Sequence, residues 1–379
     1  MMTLKDFLSS WHNGEERLTV HTSGSTGAPK ALLVEKRRMA ASARITCDFL
    51  GLEPGGRALL CLPLDYIAGK MMVVRALTRG LRLMAVKPSG HPLREINIEE
   101  GGIWCEPAAS GHPLRDIDTK KDGSWRDLAV KPSGHPLREI DTEEGGIWCD
   151  LAAMVPMQVH HSLETAEEKA KLWGIRHLII GGGAIDDELE KQLKDHPHAV
   201  WSTYGMTETL SHIALRRLNG PEASSWYTPF EGVAIRQNED GCLVIDAPEV
   251  AESTLVTHDI VEIAADGRRF KVLGRKDNVI CSGGIKIQIE EVERLLRPHL
   301  TAPFLVSKRP DKVLGEAVAL LTEATDLASI EEICRTVLPP YWSPRHYQHT
   351  GHLPLSETGK PARAEAERII RDGSAGRQT

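Results

Sequence analysis

Long apolar runs, paired cysteines and a surplus of positive charge are all missing from this 379-residue sequence. No stretch approaches the roughly 20 apolar residues that cross a bilayer, and Met1–Trp11 carries Lys5 and Asp6 in place of a leader's apolar core. Neither membrane insertion nor a secretory leader is expected. The seven cysteines (Cys47, Cys61, Cys105, Cys149, Cys242, Cys281, Cys334) form no CxxC and no close pair, which argues against zinc or a disulfide framework and for a reducing, cytoplasmic setting. The sixteen histidines include no HExxH or other ligand spacing. A net charge of −7 gives no basic face for a nucleic acid.

What is present is an ordinary globular balance, 41% apolar and 26% charged, in a chain long enough for two cores. Strand-like and helix-like stretches alternate: strand Leu18–His21, helix Glu35–Leu50 stopped by Gly51, strand Arg57–Leu62, helix Lys70–Thr78, strand Leu81–Val86. The alternation resumes with a capping-box helix from Thr165 and Glu168 to Trp173, strand His177–Ile180, helix Asp186–Lys194 and strand Ala199–Thr203. Such alternation predicts a parallel α/β sheet with helices on both faces. Beyond Pro221, short stretches such as Cys242–Ile245 and Phe270–Leu273 predict antiparallel ribbons. From Val279 a small α+β set follows, with helices near Glu290–Leu296 and Ile330–Leu338 and a strand at Ala317–Leu321. The expected organisation is a large α/β domain over 1–274 and a small α+β domain over 275–379, divided at Gly274–Asp277.

Between the two runs of alternation lies a repeat. Val86–Cys105 returns as Val130–Cys149 with only Asn97/Asp141 and Ile98/Thr142 changed, and a degraded copy spans Ser110–Trp125. So few, so similar copies are not a stacked solenoid. They predict one surface loop, 86–129, lengthened by local duplication and otherwise inert.

Four blocks carry chemistry, and each has a plain alternative. Thr22-Ser23-Gly24-Ser25-Thr26-Gly27-Ala28-Pro29-Lys30 supplies hydroxyl and backbone donors suited to phosphates, without being a Walker A loop; alone it reads as a solvated turn. Tyr204-Gly205-Met206-Thr207-Glu208-Thr209 ends a predicted strand, where ligands of parallel sheets bind. There Glu208 suits Mg²⁺, Thr207 a phosphate and Tyr204 a base, or the hexapeptide is an exposed turn. Asp259 and Arg275 suit ribose hydroxyls and a phosphate, or form a surface salt bridge. Lys360, on a turn near the C-terminus, suits a developing negative charge, or is simply exposed. Together they suit attack of a carboxylate on the α-phosphorus of ATP, which needs charge neutralisation, in-line positioning and exclusion of water.

In this order, from Thr22 to Arg363, the four blocks strongly resemble the adenylate-forming superfamily of acyl-CoA synthetases, peptide-synthetase adenylation domains and luciferases. The resemblance implies a large N-terminal region and a C-terminal lid that rotates between adenylation and thioester formation. It implies a phosphate loop at Ser23–Lys30, an adenine and substrate wall at Gly181, Gly182 and Gly183, and adenine and Mg²⁺ contacts from Tyr204 to Glu208. Asp259 and Arg275 hold ribose, Lys360 is the lid lysine, Asp277 the hinge, and Ser282, Gly283 and Gly284 border the coenzyme A path. Two stretches resemble the o-succinylbenzoate–CoA ligases of menaquinone synthesis: YGMTETLSHIALR, which contributes Ser211 and His212, and LPLDYIAGKMMVVR, which contributes Tyr66 and Arg75. Arg75 stands where a second substrate carboxylate would need a partner; alternatively it caps an amphipathic helix. The sequence departs from the family pattern at Tyr66 for His, His258 for Gly and Ile289 for Pro, and its phosphate loop begins near residue 22, implying a shortened N-terminal region.

The leading expectation is therefore a magnesium- and ATP-dependent acid–CoA ligase, with ATP, a small carboxylic acid and coenzyme A as partners and with homo-oligomerisation left open. Adenylation of another aryl or acyl acid, and an inactive nucleotide-binding scaffold, are the alternatives.

Overall fold

Residues 2–21, 31–96, 146–355 and 360–375 are described in the structure, a computed structural model. Helix α1 (Leu4–His12) opens on a capping box between Thr3 and Asp6, and buries Leu4 and Phe7. Strands β1 (Arg17–His21) and β2 (Ala31–Glu35) pair antiparallel, with His21 opposite Ala31. His21 also bridges Tyr66 in parallel, which joins the end of β1 to the stretch expected from sequence to contribute Tyr66 and Arg75. Helix α2 (Lys36–Phe49) follows, and the left-handed Gly51 turns the chain after it.

Apolar alternation builds the main sheet. Strands β3 (Arg57–Leu60), β4 (Arg82–Ala85), β5 (Cys149–Met154), β6 (Ile175–Ile180) and β7 (Ala199–Gly205) run parallel in the order β4-β3-β5-β6-β7. Strands β8 (His212–Arg217) and β9 (Thr228–Pro229) extend it antiparallel. Successive residues of a strand point to opposite faces, and both faces here are apolar. Ala58, Leu60, Leu151, Ala153 and Ile179 join one core with α1, α2 and helix α3 (Ile67–Arg79). Leu59, Ala152, Met154, Leu178 and Ile180 join the other with helices α4 (Pro156–Leu163), α5 (Ala166–Trp173) and α6 (Asp187–Gln192). The parallel α/β expectation holds, with boundaries shifted by a few residues.

The expected ribbons form a four-stranded antiparallel sheet of β10 (Ala234–Gln237), β11 (Cys242–Asp246), β12 (Leu255–Ile263) and β13 (Phe270–Arg275). A further sheet contains β14 (Val279–Ser282), β15 (Ile285–Gln288), β16 (Phe304–Asp311), β17 (Gly315–Thr322) and β18 (His346–His349). With helices α7 (Ile289–Leu296) and α8 (Leu327–Val337) it encloses a separate core around Ile280, Val292, Leu296, Val306, Leu320 and Cys334. Helix α9 (Arg363–Ala375) lays Ala366 and Ile370 on the other face of this sheet, and Arg363 forms a paired contact with Glu293 at 2.8 and 2.9 Å. No helix among the described residues is long and apolar enough to cross a membrane.

Residues 86–96, the start of the loop expected over 86–129, are packed instead. Leu93 is fully buried and Ile96 nearly so, in the same core as Trp148. Thr165 does cap α5 by accepting from the Glu168 N–H, but the Glu168 carboxylate turns away from the helix end to meet His91 and Arg94, each at 3.2 Å.

Candidate active site

A cavity of about 560 Å³ opens at the carboxyl ends of the parallel strands, where an open α/β sheet leaves its ligand crevice. Tyr66 and Arg75 reach it from α3, Gly181 and Gly182 from the end of β6, and Gly205, Thr207, Ser211 and His212 from the β7–β8 connection. Two backbone devices make room. A Cβ on Gly205 would stand 2.3 Å from the Ser211 carbonyl oxygen, so only glycine fits there, and one on Gly181 would stand 2.3 Å from Thr203 Oγ1, so that side chain would have to turn. Five residues after Gly205, Leu210 holds a left-handed φ of 65°, costly for a branched side chain, just before Ser211, which meets Arg75 of α3.

The floor of the cavity is a buried polar chain. Thr46 Oγ1 donates to the Ser42 carbonyl at 3.0 Å, so it accepts from His212 Nε2 at 3.1 Å. That leaves His212 Nδ1 as an acceptor for the Ser211 hydroxyl at 3.3 Å, while Ser211 Oγ accepts from Arg75 at 2.6 Å. Each proton has one consistent place. A neutral His212 agrees with its surroundings, since burial first and the Arg75 charge second push its pKa well below the usual range. Arg75 itself is 2% exposed, its Nε has no hydrogen-bond partner, and its remaining contact is with Met72 Sδ at 3.7 Å. Burial lowers its pKa to about 10, yet it stays a cation near neutrality. Among the described residues no carboxylate pairs with it. A buried guanidinium left with neutral partners costs several kcal/mol, roughly the penalty of an uncompensated internal charge. The fold carries that cost at the base of an open cavity.

A second cluster, outside the cavity lining, is ionic and more exposed. The Tyr204 hydroxyl donates to Asp259 at 2.6 Å, and Arg275 joins Asp259 at 3.0 Å and Asp277 at 2.9 Å. Register brings these together, because Asp259 and Arg275 are direct partners across β12 and β13. The Tyr204 ring stands edge-on to Phe270, with centroids 4.9 Å apart, and burial raises its phenol pKa. Asp277 sits in the 3₁₀ turn Lys276–Asn278, where His258 Nδ1 meets both its oxygens at 2.9 Å. Glu208 is exposed on the 3₁₀ turn after β7, and no described cation lies within ion-pair distance of it. The described residues offer no cluster of three acidic or other ligating side chains. This donor set fits a hydrated Mg²⁺ held by one carboxylate and by nucleotide oxygens, not an all-protein cage.

Lys360 lines the same cavity, half-buried, because Leu355 pairs antiparallel with Pro361 and the Ala362 N–H donates to the Pro354 carbonyl at 2.9 Å. Desolvation lowers its pKa. Gly183, Tyr204, Glu208, Asp259, Arg275 and Asp277 do not line the cavity, nor do Ser282, Gly283 and Gly284. Gly283 and Gly284, at φ 57° and 86°, form the two-residue turn of the β14–β15 hairpin. Thr22, Ser23, Gly24, Ser25, Thr26, Gly27 and Lys30 lie outside the described residues.

No family model matches the chain. The AMP-forming acyl-CoA synthetase/AMP-acid ligase II-like protein of Dyadobacter fermentans, however, is 31% identical over 97% of this chain and 92% of its own, with a TM-score of 0.55. The chain belongs to the adenylate-forming acyl-CoA synthetase superfamily. The 2-succinylbenzoate–CoA ligase of Bacillus thuringiensis is a more distant member, 22% identical over 94% of this chain and 71% of its own length. The o-succinylbenzoate coenzyme A synthetase of Bacillus subtilis, solved with ATP and a magnesium ion, shares the fold at a TM-score of 0.64 and 21% identity, over 92% of this chain and 69% of that one.

Within this synthetase fold, several lining residues were not singled out from sequence. His21 and Ser89 reach the cavity through pairings remote in sequence, and Gln158 bonds Cys61 and Ser89 carbonyls at 3.2 and 2.9 Å to hold the wall. Thr46, which fixes the His212 tautomer, sits in the middle of an Ala-rich helix with no motif around it.

Proposed function

We propose that the chain condenses a carboxylic acid with ATP to an acyl-adenylate and pyrophosphate, then passes the acyl group to the coenzyme A thiol with release of AMP. The acid best supported is o-succinylbenzoate. One observation carries that choice: Arg75, buried and without an anionic partner, at the floor of a cavity that Lys360 also lines. A diacid presents one carboxylate to the nucleotide and needs a counter-charge for the other. Arg75, steadied by Ser211 and His212, supplies it. The similarity to curated 2-succinylbenzoate–CoA ligases supports the same acid.

In this reading Tyr204, Gly205, Asp259 and Arg275 bind the nucleoside, Thr207 and the Thr22–Lys30 segment bind its phosphates, and Gly181, Gly182 and Gly183 form the wall between adenine and acid. Glu208 would hold a Mg²⁺ ion that offsets phosphate charge. Lys360 aims a partly desolvated cation at the charge that grows as the carboxylate meets the α-phosphate, where low dielectric strengthens it. Tyr66 closes the acid's side of the cavity. Residues 275–379, which have their own core, would pivot at Asp277 and bring Ser282, Gly283 and Gly284 to the coenzyme A path. Cysteines unpaired among the described residues and the acid–thiol chemistry support a cytoplasmic setting.

The test is acid-dependent exchange of pyrophosphate into ATP over a panel containing o-succinylbenzoate and matched monoacids, with and without coenzyme A. Exchange with o-succinylbenzoate, and AMP plus thioester once coenzyme A is added, is the expected result. Exchange with no acid would overturn adenylation. Exchange confined to monoacids would leave adenylation standing and remove the diacid.

A further inference from the structure

Past the turn at Asp277, an ion pair ties the C-terminal sheet and its helices to the main sheet. Arg297 closes α7, and its Nη1 donates to Asp186 Oδ2 at 3.1 Å. Asp186 also caps α6, its other oxygen accepting from the Leu189 N–H at 2.8 Å. Both sides of this contact lead to the cavity. Asp186 follows Gly181 and Gly182 of the cavity wall, and its Oδ2 lies 3.5 Å from His160 Nε2 on α4, whose Met157 and Gln158 line the same cavity. On the other side, Glu293 stands one turn before Arg297, on the same face of α7. Glu293 is buried, accepts from the Val306 N–H at 2.9 Å, and holds Arg363 by two bonds at 2.8 and 2.9 Å. Arg363 begins α9, three residues past the cavity-lining Lys360. Helix α7 is therefore a bar fastened at one end to the cavity wall and at the other to the Lys360 turn.

We propose that Arg297 and Asp186 are positioning residues for adenylation, their contact favouring the pose that keeps Lys360 in the cavity. The proposal rests on the pivoting of residues 275–379 put forward above. Helix α7 carries Arg297 together with the Lys360 turn, so a rotation at Asp277 that withdraws the lysine also pulls Arg297 from Asp186. Asp186 then retains His160 and its bond from Leu189, so release leaves no bare carboxylate. That suits a contact broken at each turnover. Arg297 and Asp186 are 54% and 23% exposed, which makes the pair a few-fold bias between poses and not a lock.

Adenylation scales with the fraction of protein in this pose, and thioester formation with the fraction out of it. Their ratio therefore moves by the whole change in the equilibrium, whichever pose is commoner. Arg297→Ala should raise thioester formation from supplied acyl-adenylate, relative to pyrophosphate exchange, about three-fold. Asp186→Asn should do the same, because asparagine caps a helix as well as aspartate does but carries no charge. The double variant should add nothing, as when two changes remove one contact. Amine labelling of Lys360, followed by peptide mass spectrometry on the protein without ligands, needs no activity. Lys360 should label faster in Arg297→Ala while the exposed Lys312 is unchanged. An unmoved ratio, or effects that multiply in the double variant, overturns the proposal. If no acid supports exchange even in the wild type, the adenylation reading falls, and labelling alone decides what the contact does. A Lys360 rate unaltered by Arg297→Ala then removes the contact from the placement of Lys360.

Discussion

The proposed acid end, at the cavity floor, and the proposed nucleotide end, outside the cavity lining, solve opposite problems. At the acid end every proton has a place, from Arg75 through Ser211 and His212 to Thr46, and among the described residues one buried charge is left without an opposite. At the nucleotide end the charges are already matched, Arg275 bridging Asp259 and Asp277 while Tyr204 occupies the other oxygen of Asp259. A preorganised site with a missing anion gains on binding by relieving a cost already incurred in folding. A site whose charges are paired must exchange partners, which suits a segment that moves. Under the proposed function, acid selectivity would lie in the sheet-and-helix core and nucleotide contacts in elements free to exchange partners.

The largest break in this contrast comes from Lys360, which lines the cavity. Lys360→Ala should lower pyrophosphate exchange by roughly 10²–10³, the scale of one aimed electrostatic donor, with an unchanged thermal midpoint. Wild-type exchange in that variant would remove Lys360 from the chemistry. Next comes Arg75→Leu, expected to lower kcat/KM for o-succinylbenzoate by about 10² while matched monoacids gain. The same variant should be more stable without substrate, and the sign follows from linkage. The folded pKa, about 10, lies below the ordinary 12.5, so both states are charged at neutral pH and the burial cost is fully present. It is relieved only as pH rises above 10, where the unfolded chain holds more protons. Preference for the diacid should by the same reasoning be flat from about pH 7 to 9 and fall as pH passes about 10. A lower melting point for Arg75→Leu would mean that the guanidinium has a compensating partner.

Smaller effects belong to the paired end. Tyr204→Phe removes one hydrogen bond to Asp259, and about 1 kcal/mol is the usual net worth of such a bond. The KM for ATP should rise about five-fold with kcat nearly constant. Loss of kcat instead would mean that the hydroxyl acts in the reaction step.

How much of this was legible in the sequence depends on the range of each interaction. Strands β3, β4, β6 and β7 announced themselves because a parallel sheet covered on both faces needs continuous apolar runs, and Thr165 announced α5 because a cap is local, whereas β5, which begins at the end of the repeat, was not expected. Asp259 and Arg275 could be named as a pair, but not their contact, which cross-strand register supplies. The Arg75 chain was half visible: the arginine and the Ser211–His212 pair carry a family signature, whereas Thr46, 166 positions from His212, carries none. Leu210 was invisible, because a left-handed leucine is imposed by tertiary packing against its own preference. The repeat misled for a physical reason: duplicated segments look disposable, yet Leu93 and Ile96 of the first copy are buried in the core.

The smallest expected effect sharpens the contrast most. His258 stands where the family resemblance has glycine, and its imidazole and Arg275 both hold the Asp277 carboxylate. Asp277 titrates below its ordinary range even though burial raises it, because the hydrogen bonds from His258 and Arg275 outweigh that burial. The His258–Asp277 pair is well exposed, 59% and 46%, and exposed pairs contribute at most about 1 kcal/mol. His258→Gly should therefore change the ratio of thioester formation to adenylation by no more than about two-fold, since Arg275 still holds Asp277. If that ratio moved ten-fold instead, the contact would be acting as a latch on the pivot. The nucleotide end would then be preorganised too, by a contact outside the cavity.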